Sequence, residues 1–232
     1  MPRLPLTRLV LAALLPAWAA LPALAGTPLE DARKASEDGP LYVFDVTFQD
    51  DTLDLKTKVD PSQPEGSRLT VVSPDESTLD KEAAKRVARL KEHTKGDVWC
   101  SNFASNIPDD AELISESQAE ATYTFRPIPD EGDDDMAKAY KHLTGRVTVS
   151  KETPVITAFE MFNEKPFKPM PVAKVNTFRM KVACAYAPDG RTYIREMTLN
   201  IAGSAMMQKF SQNEHRQITG LTALPETASG QK

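Results

Sequence analysis

Beyond its first 25 residues this chain of 232 has no apolar run long enough for a bilayer, which needs roughly 20 consecutive apolar residues. It carries no G-x-S-x-G, no H-E-x-x-H, no Gly-rich phosphate loop and no zinc-ligand spacing, so the commonest hydrolase, nucleotide and metalloprotease signatures are missing. Histidine is scarce, and His93, His142 and His215 stand singly. Asp133-Asp134-Asp135 lacks the ligand order of a calcium loop. No repeat of 20 to 50 residues recurs, which argues against solenoids and propellers. The expectation is a non-catalytic protein with no cofactor and no metal.

What is present begins with an export pattern. Arg3 and Arg8 flank the apolar Leu9–Leu15, and Ala23-Leu24-Ala25 forms an A-x-A exit. Together these read as a signal peptide over residues 1–25, cleaved after Ala25. Gly26 follows, so the cysteine of a lipoprotein signal is not there. Residues 26–232 are then expected to form a single domain with a disordered tail from about 222, periplasmic or secreted. Loss of the leader removes two arginines and no acid, taking the net charge from −5 to about −7. Such an acidic surface argues against nucleic acid and anionic lipid surfaces as main partners. Cys100 and Cys184 are the two cysteines, and in an oxidising compartment a pair favours a bridge. Closing that loop is worth roughly 4.5 kcal/mol in the chain-entropy model, before native strain is subtracted. A reactive thiol or a metal pair is the alternative, although neither cysteine has a Cys-x-x-Cys spacing.

Periodicity predicts the elements. Pro28 and the acids after it suit the first turn of a short helix. Tyr42, Phe44, Val46 and Phe48 alternate with Val43, Asp45 and Thr47 in a half-buried strand. Leu53–Val59 repeats the pattern, and Arg68–Ser73 makes a third strand. Leu79, Ala83, Val87 and Leu90 form the narrow stripe of a helix that Gly96 ends. Lys81, Lys85, Arg86, Arg89 and Glu92 cover its other side. That basic cluster can hold an anionic group, although a solvated face is the ordinary reading. A hairpin over Ala111–Ser117 and Ala119–Arg126 and a short helix from the Asp triplet follow. From Gly145 the chain reads as strands: Arg146–Lys151, Val155–Asn163, Val175–Ala187, Thr192–Gly203 and Ala205–Thr219, with Asp189-Gly190 a strong hairpin signal. The predicted fold class is α+β: a curved antiparallel β-sheet of about eight to ten strands, half-barrel-like, with two or three short helices packed on one side.

Six of the eight methionines fall between Met161 and Met207, a flexible and polarizable side chain suited to variable apolar ligands or to ordinary core filling. Phe178, Met180, Val182, Cys184 and Tyr186 share one strand side, and Tyr193, Met197, Leu199 and Ile201 share another. From these, Phe178, Met180, Val182, Tyr186, Tyr193 and Met197 are the candidate ligand-binding residues. Lys165–Pro171 holds three prolines and reads as a stiff connector. Its Phe167 and Met170 either tuck in or form an exposed interaction loop.

The order of parts, an export signal, a helix leading into Phe44-Asp45-Val46-Thr47-Phe48, inserted helices and a meander from Gly145 through Gly203, resembles the half-barrels of periplasmic lipoprotein carriers and sorting proteins. It also looks like an exported protein of Gram-negative bacteria. The resemblance implies a curved sheet holding a lipid or the acyl chain of an acylated protein. An envelope protein-protein interaction module with a filled core, without a small-molecule ligand, is the alternative, with an envelope protein as its partner.

Overall fold

The structure, a computed structural model, describes residues 27–35, 38–129 and 134–225; the expected signal segment and residues 226–232 lie outside the described residues. Eleven strands form one antiparallel sheet: β1 (Tyr42–Asp50), β2 (Asp54–Val59), β3 (Leu69–Ser73), β4 (Glu112–Glu116), β5 (Glu120–Phe125), β6 (Thr144–Ser150), β7 (Ile156–Phe162), β8 (Phe167–Met170), β9 (Ala173–Tyr186), β10 (Thr192–Ala205) and β11 (Gln208–Ala223). Their order is β3-β2-β1-β11-β10-β9-β7-β6-β5-β4, with β8 paired to β9 outside this path. The sheet is open and curved, and its edges β3 and β4 do not meet. Register breaks at Asp45/Val46, Ile194/Glu196 and Ala202/Gly203 supply local bends, as bulges do. The expected α+β half-barrel-like fold is what the chain adopts, with one strand more than the upper expectation.

Among the described residues three α-helices accompany it: α1 (Pro28–Arg33), α2 (Lys81–His93) and α3 (Asp134–Tyr140). Thr27 and Glu30 make a reciprocal capping box around α1, with proline in its first turn. Asp80 caps α2 by accepting from the Ala83 N–H at 2.8 Å. Short 3-10 segments lie at Glu76–Thr78 and Cys100–Asn106. Among the described residues no helix is long and apolar enough to cross a membrane.

Register identifies the inner face. Leu55, Phe48, Arg216, Met197, Val182, Phe159, Val147 and Tyr123 stand directly opposite one another in a row across eight strands, and opposed residues project to the same side of a sheet. Half of this face is closed. Over β5, β6, β7 and β9 lie α1, which inserts Leu29 and Ala32, and the Cys100–Asn106 segment. Phe103 from that segment stacks on Phe159 with centroids 4.4 Å apart. Cys100 and Cys184 form the expected disulfide, which ties the segment to β9 across 84 positions of sequence.

Three details differ from expectation. The hairpin joining β10 to β11 turns at Met206-Met207, not between Gly203 and Ala205 as the strand limits implied. Both residues have positive φ, 49° and 67°, as a two-residue type I′ turn demands. Asn-Gly or Asp-Gly would announce such a turn; two methionines announce nothing, and each non-glycine residue in this region costs roughly 1–2 kcal/mol. The proline-rich connector contains the short strand β8, with Phe167 opposite Val175. β11 runs to Ala223 opposite Tyr42, and Leu224 donates to the Leu41 carbonyl, so pairing continues past the position where the tail was expected to begin.

Candidate functional site: a cleft beneath helix α2

The other half of the inner face is open. A cleft of about 680 Å³ lies between α2 and strands β1, β2, β10 and β11, within the roughly 300–1,000 Å³ usual for small-molecule sites. Its floor is apolar: Phe44, Val46 and Phe48 from β1, Val59 from β2, and Met197 and Ile218 from β10 and β11. The alternation that buries Phe44 and Phe48 leaves Val46 only half-buried, because nothing in this half fills the space above it.

Helix α2 roofs the cleft as a strap held at both ends. Arg86 pairs with Asp50 at the end of β1 and donates to the Thr52 hydroxyl at 2.5 Å. Val87 packs on Phe48, Leu53 and Leu55. Beyond the helix, Arg68 donates to the Lys95 carbonyl at 2.7 Å. Gly96 turns the chain at φ 82° against Pro61, a conformation that favours glycine. The Ile194 N–H then donates to the Val98 carbonyl at 2.8 Å, and Trp99 bridges to Tyr193. Between these anchors the narrow stripe of α2 offers chiefly Leu90 to the cleft, too little volume to close it.

Charge is arranged in two tiers. Deep in the site, ions are paired. Arg216 donates through Nε to Glu214 at 2.5 Å, the Glu214 side chain is buried, and the guanidinium of Arg216 lies 5.3 Å from the Phe48 ring centroid. The Asp50 carboxylate is 4 % exposed. Burial pushes its pKa up, but hydrogen bonds from Arg86 and Thr52 outweigh burial and hold it down to about 2. At the rim, Arg89, His93 and Lys95 are exposed, line the opening and have no ion-pair partner among the described residues. Asp97, the rim carboxylate, is engaged with the Trp99 N–H at 3.2 Å. The arrangement can accept an apolar body on its floor and a negative group at its mouth. No nucleophile with an adjacent general base stands out in it. Among the described residues no three or more His, Cys, Asp or Glu converge as a metal would require.

The six ligand-binding candidates separate. Met197 lines the cleft, and it also packs against the closed half, so it sits on the boundary. Val182 is part of the closed core, with Phe178 and Met180 packed against it. Tyr193 packs beside the cleft against the Phe44 cluster, and Tyr186 is exposed. Phe167 and Met170 also separate: Phe167 is 8 % exposed and stacks on His142 at 4.7 Å, whereas Met170 is 53 % exposed. Phe44, Val46, Phe48 and Ile218 were legible as strand residues but carried no mark of a site. The signal closest to the site was the basic side of α2, of which Arg86 and Arg89 line the cleft. Compared with protein-family models, with curated proteins and with solved structures, the chain matches none.

Proposed function

We propose that this chain is a non-catalytic periplasmic or secreted binding protein for a lipid-like amphiphile, with one apolar tail and an anionic end. The observation that carries the reading is the open cleft, whose floor is apolar while its rim holds two cations, Arg89 and Lys95, and the His93 imidazole, none with an ion-pair partner among the described residues. The tail lies along Phe44, Val46, Phe48 and Ile218, where burying apolar surface contributes roughly 25 cal/mol per Å². The anionic end meets Arg89, His93 and Lys95. The ions below them are already paired and need no ligand charge. The disulfide fits an oxidising compartment. The alternative, an interaction module working through the proline-rich connector, has less support, because Phe167 faces the core and leaves Met170 as the exposed apolar residue.

Displacement of a fluorescent fatty acid tests the reading. Dodecanoate is expected to compete, and to bind better than dodecanol. Arg89→Glu with Lys95→Glu should weaken dodecanoate about five- to tenfold while leaving dodecanol nearly unchanged, the range of exposed ion pairs. Val46→Phe, which places a ring in the cleft, should abolish both. Equal competition by all acyl species in wild type and V46F would refute the site.

A further inference from the structure

The end of the sheet formed by β8–β11 carries a second feature, independent of the cleft. Two hairpin turns abut there, joined by the Met206 N–H donating to the Val172 carbonyl at 2.9 Å. Together they expose Met170, Val172, Met206 and Met207, the last two at 77 % and 100 % exposure. Behind them the Phe210 ring lies against Gly203, where an added Cβ would meet it at 2.8 Å and the Lys174 carbonyl at 2.2 Å. The tip is therefore a firm protrusion with apolar side chains at its apex. A large exposed apolar patch marks a contact with protein or membrane.

Charge distinguishes the two. In a chain of net charge −5, residues 165–188 and 197–213 contain no Asp or Glu, yet they contain Lys165, Lys168, Lys174, Arg179, Lys181 and Lys209. Arg179 is paired with Glu160, while Lys165, Lys168, Lys174 and Lys209 are exposed and have no ion-pair partner among the described residues. Lys174 and Lys209 flank Ser204 on neighbouring strands, directly behind the methionine turn. An apolar apex with a collar of cations, carried on stretches 165–188 and 197–213 that hold no acid, is the pattern that seats in a bilayer interface and meets its anionic head groups. The tip is a protrusion and not a groove, which suits a lipid surface better than a folded partner.

We infer that the paired turns at Met170–Val172 and Met206–Met207 are a reversible docking tip for anionic lipid bilayers. The acidic composition of the whole chain predicts the opposite, because an average hides a segregated end. A single shallow anchor of this kind gives weak, salt-sensitive attachment. It brings the protein to a lipid surface whether or not the cleft holds an amphiphile.

Co-sedimentation of the purified protein with vesicles decides it. Binding is expected to phosphatidylcholine vesicles containing phosphatidylglycerol, not to phosphatidylcholine alone, and should fade at high salt. Replacing Lys168, Lys174 and Lys209 by Glu should weaken partitioning by about a hundredfold or more, at roughly 1 kcal/mol per lysine. Met206→Asn with Met207→Gly should weaken it about tenfold or more, while raising the melting temperature because that pair suits the turn. The gain in stability separates loss of docking from loss of fold. Val46→Phe should dock as wild type does, so a failed cleft would not be mistaken for a failed tip. No partitioning at low salt overturns the inference and leaves the tip to a protein partner. Partitioning that survives both tip variants overturns it as well.

Discussion

The two halves of the inner face are made of the same material and end differently. Val147, Phe159 and Val182 on one side and Phe48 and Leu55 on the other stand in a single row of opposed residues. The closed half receives Phe103, Ile107 and Leu29 from segments that fold back over it. The open half receives a helix whose apolar stripe is narrow and whose other positions are mostly charged, apart from Ala84 and Ala88. Whether this curved sheet makes a core or an open cleft is thus decided by the volume its cover inserts, not by the sheet.

That contrast can be broken by mutation. The largest effect is expected for Phe159→Ala, which removes the ring under Phe103 and should cost about 3–5 kcal/mol in chemical denaturation. Losing the cover's staple, with Cys100→Ser and Cys184→Ser together, should cost about 2–4 kcal/mol. It should also speed hydrogen exchange in Cys100–Asn106 more than in α2.

At the edge of the open half, Asp50→Asn should cost about 2 kcal/mol at neutral pH. The folded pKa of Asp50 is depressed to about 2 from an ordinary value of 3.8. Its stabilisation is therefore complete above about pH 4 and lost as the pH falls towards 2. Wild type and variant should differ at pH 7 and converge near pH 2, and a constant difference across that range would remove Arg86–Asp50 as the anchor of the strap. The same substitution made in each half gives the smallest but sharpest contrast. Val147→Phe overpacks a filled core and should cost about 1–3 kcal/mol, whereas Val46→Phe enters empty space and should stay within about 1 kcal/mol.

Local features were readable in advance. The alternation from Tyr42 to Phe48, the stripe from Leu79 to Leu90 and the Asp189-Gly190 turn each place their element within a residue or two of where it lies. The pairing of Cys100 with Cys184 was readable too, from the even count and the expected export. The cleft was not. Its walls come from β1, α2, β10 and β11, and no periodicity says which part of a continuous apolar face its neighbours leave uncovered. Of the set that methionine enrichment suggested, Met197 alone lines the cleft, because Phe178, Met180 and Val182 lie under the cover that Phe103 brings. The Met206-Met207 turn escaped notice for a local reason: it uses residues that normally avoid positive φ.

Methionine also supplies the most direct test. With methyl-labelled methionine, NMR titration with dodecanoate should shift the Met197 methyl in a saturable way, since it lines the opening. The methyls of Met161 and Met180, which belong to or pack against the closed core, should stay where they are. A silent Met197, or equal shifts at all three, would contradict the division of the inner face into one filled half and one that receives a guest.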